Sequence, residues 1–168
     1  MSKIKILFDS YHLYHLPQFD PVIKLLSTDG RFTIFHSTCS ENKKVEVDLC
    51  KKILKSKPGE LVYADTETKR AKKIRNLDLD VFIIGWSRYP LSDFVKEKTI
   101  VGMIYHGIGV KPSYWRDNSK RLNIRFVEGE YRLNQLRENG IETMLELTGF
   151  TKLDPLFNNG IDNLKILK

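Results

Sequence analysis

The chain has 168 residues, of which 41% are hydrophobic, 11% aromatic and 29% charged, with a formal net charge of +7. That length suits one domain with a sizeable core, since a domain of about 150 residues buries roughly 70% of its unfolded surface. The composition excludes a disordered or fibrous chain, and no run approaches the ~20 apolar residues that span a bilayer.

The first apolar run, residues 3–8 (KIKILF), stops at Asp9 with no small-residue cleavage site behind it, so it reads as a β-strand rather than a signal peptide. The loop that follows brings Tyr11, His12, Tyr14 and His15 together, and imidazoles and phenols at a strand end suit contact with a substrate. The spacing of His12 and His15 allows both on one face of a helical turn, but no further ligands accompany them and no metal is expected. Asp20 as cap and Pro21 in the first turn start a helix that runs to residue 26.

Residues 32–35 (FTIF) form the second strand candidate. Residues 42–55 read as an amphipathic helix with a buried stripe of Val45, Leu49 and Ile53, widened by Cys50 and Leu54. Between residues 43 and 75, eleven Lys or Arg stand against five acids. This basic face suits anionic lipid headgroups or a phosphate-rich polymer as well as plain solvation. Cys39 and Cys50 are too few and too casually placed for a disulfide framework. The expected setting is the cytoplasm, with the basic face able to rest on the inner surface of the membrane.

Residues 61–63 and 81–85 are the next strands, with a helix over residues 68–77 between them. Past them, Trp86 and Arg88 suit stacking on, and pairing with, a phosphorylated or sugar-like ligand. The strand over residues 99–105 delivers His106, and histidine titrates near the pH at which it can take a proton from an attacking hydroxyl. Gly107 and Gly109 suggest a turn with exposed amides, the geometry of an anion-binding nest. Lys111 adds a positive charge for a phosphate, and Tyr114 and Trp115 a flat contact surface. Residues 124–127 and 143–148 are the last strands, around a helix over residues 130–139 that Gly140 stops. Asp154 then caps a short helix with Pro155 at its first position.

Alternating strands and helices imply an α/β fold, a doubly wound, mainly parallel, Rossmann-like sheet. Ligands then bind beyond the carboxyl ends of the strands. No Walker loop, CxxC pair, HExxH, GxSxG or GxGxxG occurs, so nicotinamide is disfavoured and no cofactor is expected.

Three stretches, HGIGVKPSYW, IRFVEGEYRLNQLRENGI and LTGFTKLDPLF, together resemble the CDP-glycerol glycerophosphotransferase family, which includes teichoic acid primases and polymerases. The opening ILFDSYHLYHLPQFDPVIKLL is similar, more loosely, to that of sugar-nucleotide enzymes. The resemblance implies a glycosyltransferase-B architecture of two Rossmann-like domains facing a cleft, of which residues 1–157 are the N-terminal, acceptor-side domain. Residues 158–168 then begin an interdomain linker, and the nucleotide-binding domain is supplied further along the same chain or by a separate subunit, so this chain alone is expected to be inactive.

The implied reaction moves glycerol phosphate from CDP-glycerol, or a similar nucleotide-activated donor, to a hydroxyl acceptor, often lipid-linked. His106 matches the family's proposed base, and Gly107 and Lys111 also match, with Gly109 beside them around the transferred phosphate. Ile108 and Gly109 stand where Thr and Pro are usual. Tyr11, His12, His15, Trp86, Arg88, Tyr114 and Trp115 are the expected acceptor contacts. Gly149, Phe150 and Asp154 match a GYPRxD-like segment near the domain junction, with Thr151 in place of its proline. Two other readings stand beside this one. The first is a glycosyltransferase or UDP-sugar epimerase of the same architecture. The second is a non-catalytic basic module for anionic membrane or nucleic acid, with nucleic acid the less expected partner.

Overall fold

Continuous apolar runs are what strands covered on both faces require, and each of the seven runs becomes one. The computed structural model of the chain describes residues 2–86, 90–109, 111–116 and 119–157; Arg88 and residues 158–168 lie outside them. The strands are β1 (Ile4–Ser10), β2 (Phe32–Thr38), β3 (Glu60–Val62), β4 (Val81–Ile84), β5 (Ile100–Ile104), β6 (Ile124–Val127) and β7 (Met144–Leu147). They form one sheet in the order β3-β2-β1-β4-β5-β6-β7, parallel throughout. The fold is a doubly wound, Rossmann-like α/β sheet.

The helices are α1 (Leu16–Ser27), α2 (Lys44–Leu54), α3 (Glu67–Asn76), α4 (Leu91–Phe94), α5 (Glu130–Glu138) and α6 (Asp154–Phe157). Alternate strand residues feed opposite faces. Ile6, Phe8, Ile34 and Ile83 pack on Leu16, Phe19 and Ile23 of α1 and Cys50 and Leu54 of α2. Leu7, Phe35, Phe82, Ile84 and Val101 pack on α3, α4 and α5 through Ala71, Ile74, Leu91, Phe94 and Leu136. Both cysteines are buried free thiols.

Three sequence expectations are corrected here. First, α1 begins at Leu16, not behind Asp20: Leu16, Phe19 and Ile23 already bury one helical face, Pro17 sits in the first turn, and Asp20 inside the helix pairs with Lys24 and Lys57. Second, α2 is turned from the expected stripe. It buries Val47, Cys50 and Leu54, leaving Val45 81% and Leu49 45% exposed. In this rotation Glu46 meets the β1 loop, its Oε1 lying 3.1 Å from both His12 Nδ1 and Leu13 N.

Third, residues 43–75 do not form one basic face, because α2 and α3 lie on opposite sides of the sheet. Arg70 of α3 is wholly buried, donating to Asp9 and Ser37 at 2.7 and 2.6 Å and pairing with Glu67. Lys73 donates to the Tyr63 carbonyl, and Arg75 to those of Ser92 and Val95.

After β7 the chain turns at Gly149, whose φ of 79° is left-handed, a backbone that glycine adopts without cost. A 3-10 turn, Thr151–Leu153, then docks on α1, where Thr151 Oγ1 donates to the Gln18 carbonyl at 2.6 Å. It runs directly into α6, which begins at Asp154 itself. Among the described residues no helix is long and apolar enough to cross a membrane.

Candidate functional site

β1 and β4 are sheet neighbours whose outgoing chains leave to opposite faces, α1 on one side and α4 on the other. Such a switch point opens a crevice at the carboxyl ends of the strands, and the loops after β1, β4 and β5 meet there.

The β1 loop is a short 3-10 turn, Leu13–His15, leading into α1. His12 faces Glu46 and stacks on Tyr14, ring centroids 4.9 Å apart. His15 is fully buried and lies flat over the backbone of the β4 loop, where a Cβ on Gly85 would come within 2.8 Å of its ring. Burial, followed by the neighbouring His106 and His12, lowers the His15 pKa to about 3, so the ring is neutral at ordinary pH.

His106 follows β5, its ring centroid 4.9 Å from that of His15. Its Nδ1 is 2.9 Å from the Gly85 carbonyl. A carbonyl only accepts, so Nδ1 carries the ring hydrogen and Nε2 the lone pair. That lone pair lies 3.2 Å from the Tyr114 hydroxyl, and Gln18 Nε2 holds the His106 carbonyl at 3.0 Å.

The glycines of this loop have a different use from the one their spacing suggests. Among the described residues the glycines with positive φ are Gly59, Gly140 and Gly149, so Gly107 and Gly109 lack the left-handed backbone of a nest. Tyr114 lies on both: a Cβ at 109 would run into the ring, and one at 107 would come within 3.2 Å of the hydroxyl. From α5, Arg132 closes the arrangement. Its guanidinium sits 5.6, 5.0 and 5.8 Å from the ring centres of Tyr105, Tyr114 and Trp115, donates to the Gly109 carbonyl, and pairs with Glu128 at 3.1 Å.

A cavity of about 230 Å³ opens here, lined by Tyr14, Gly85, Trp86, Met103, Tyr105, His106, Lys111, Ser113, Tyr114 and Arg125. Of the residues singled out from sequence, Trp86, His106, Lys111 and Tyr114 line it. Tyr11 lines a neighbouring groove of about 630 Å³ and touches Trp86 edge-on at 4.8 Å. His12 and His15 stand behind Tyr14, and Trp115 packs partly buried against the core. Gly149 and Phe150 lie on the segment that docks on α1, with Asp154 following, and are not among the cavity's lining residues. Sequence reasoning missed Arg125, buried in β6 with Nη1 3.1 Å from the Tyr105 hydroxyl; a charge inside the otherwise apolar run IRFV was its signal. Arg132 had none, since arginine on a polar helix reads as solvated. Among the described residues, no group of three or more His, Cys, Asp or Glu is placed to hold a metal ion.

No protein-family model matches the chain, and no curated protein matches its sequence. Solved structures do resemble it. A protein of Listeria monocytogenes assigned as a UDP-N-acetylglucosamine 2-epimerase superposes with a TM-score of 0.61 at 14% identity, over 97% of this chain and 50% of that one. The UDP-GlcNAc 2-epimerase of Neisseria meningitidis, solved with UDP-GlcNAc bound, gives 0.61 at 16% identity, over 98% and 52%. The chain thus spans about half the length of these structures. At such identities the likeness is one of fold, a Rossmann-like layer of glycosyltransferase-B type.

Proposed function

We propose that the chain is the acceptor-side half of an enzyme of glycosyltransferase-B architecture, one that moves a sugar from a nucleotide-activated donor to a hydroxyl group, with His106 as general base. One observation carries this reading: Nδ1 of His106 is locked on the Gly85 carbonyl, so Nε2 presents its lone pair at a cavity on the carboxyl edge of the sheet. A neutral imidazole there can take the proton of an acceptor hydroxyl as its oxygen attacks the donor. A second domain, in the same chain or as a separate subunit, completes the cleft and holds the nucleotide. The fold neighbours support a sugar nucleotide as donor, because both are described as acting on UDP-N-acetylglucosamine. Epimerisation of a UDP-sugar is the neighbouring reading on the same architecture, and the two neighbours' own descriptions favour it.

A second reading, transfer of glycerol phosphate from CDP-glycerol, is favoured by Lys111 and Arg125, two cations lining the same cavity as His106. Cations of this kind suit a phosphoryl group in flight. Competition between UDP-N-acetylglucosamine and CDP-glycerol, followed as nucleotide release by the protein as the cell makes it, separates the two. In either case His106→Ala should lower turnover by roughly 10²- to 10⁴-fold. Turnover within about threefold of wild type would assign the base elsewhere.

A further inference from the structure

His106 does not face the cavity alone. Its Nδ1 holds the ring hydrogen, so in the 3.2 Å contact with Tyr114 the phenol donates and Nε2 accepts. A hydroxyl entering the cavity meets a lone pair that is already taken, whereas Tyr114 lines the same cavity and a phenol oxygen that donates keeps its own capacity to accept. The surrounding residues hold this arrangement in place. Gly107 and Gly109 leave room for the ring, Arg132 lies 5.0 Å from its centre, and the Tyr105 hydroxyl donates to the Tyr114 carbonyl at 3.1 Å. Burial raises the Tyr114 pKa against the pull of Arg132, so the phenol keeps a proton to give at neutral pH.

We propose that Tyr114 is a catalytic residue of this reaction, the relay through which the acceptor's proton reaches His106. The proposal rests on reading His106 as the base. In the step, the acceptor hydroxyl gives its proton to Tyr114 Oη while the proton of Tyr114 passes to His106 Nε2. The acceptor oxygen bonds to the anomeric carbon of the nucleotide-activated sugar. The bond from that carbon to the diphosphate oxygen breaks, and the nucleoside diphosphate leaves with the electron pair. Tyr114 ends neutral and His106 ends as imidazolium, which returns its proton to water; nothing is oxidised or reduced.

Tyr114→Phe keeps the ring and its stack and removes only the relay atom. One measurement needs no substrate: diethyl pyrocarbonate acylates an imidazole lone pair, and labelling of His106 is read by mass from its peptide. A neutral hydrogen bond is worth about 1 kcal/mol net, so the variant should label roughly fivefold faster than wild type. Equal rates would mean that Nε2 meets ligands directly and would overturn the relay. The other measurement follows UDP-N-acetylglucosamine turnover with glycerol as the hydroxyl probe, in the protein as the cell makes it. Tyr114→Phe should fall as far as His106→Ala, about 10²- to 10⁴-fold, and the double variant no further. Tyr114→Phe within about threefold of wild type beside an inactive His106→Ala overturns the relay and leaves the base standing. His106→Ala at the wild-type rate overturns the base itself. Where the probe is not turned over, the labelling ratio decides.

Discussion

A methyl group at residue 85 would sit 2.8 Å from the ring of His15, well inside van der Waals contact, and His15 is walled in on its other sides. Gly85→Ala should therefore cost about 1–3 kcal/mol of stability through overpacking, read as a lower urea midpoint, and should loosen the carbonyl that fixes His106. His15 itself makes the fold acid-sensitive. Its folded pKa, about 3, lies below its ordinary value of 6.5, so at intermediate pH the unfolded chain binds a proton that the folded chain refuses. This contribution is complete above pH 6.5 and is lost as pH falls toward 3. His15→Phe should lose less of its urea midpoint between pH 7.5 and pH 5 than wild type does; equal losses would place the sensitivity in other groups. At this scale the sequence was legible as to place: His106, Trp86 and Lys111, read from loops at strand ends, line one cavity. It misled at Gly107 and Gly109, because a glycine crowded by a tyrosine side chain further along the same loop looks the same as one demanded by a turn.

Helix α3 reaches the site indirectly, through a buried arginine. Arg70 ties α3 to the carboxyl ends of β1 and β2 by way of Asp9 and Ser37, and its guanidinium lies 4.7 Å from the centre of the Phe94 ring on α4. Arg70→Met keeps much of the packing volume but deprives Asp9 of this partner in a buried setting. The expected loss is about 3–5 kcal/mol, measurable by urea titration with the β1 loop as the first region to lose amide protection. Strands were the most legible elements, since a two-sided buried strand must be a continuous apolar run. Helix rotation was not legible in α2, which carries apolar residues on two sides. The side that is buried, Val47, Cys50 and Leu54, also brings Glu46 against the β1 loop.

Across the whole molecule, the switch in direction between β1 and β4 brings three loops from distant parts of the sequence to one crevice. Strand and helix order alone is enough to predict such a meeting, but not which side chains fill it. The basic segment shows the limit of linear reading in the other direction: charges adjacent in sequence are parted by the sheet, and Arg70 is buried as structural cement. The docking of Thr151 on Gln18, 133 residues apart, bears on the order of events during synthesis. The segment that covers the flank of α1 leaves the ribosome 133 residues behind the helix it covers. Contacts of such long range also slow folding, so the nascent chain carries an incompletely covered α1, open to chaperones, until translation has passed residue 151.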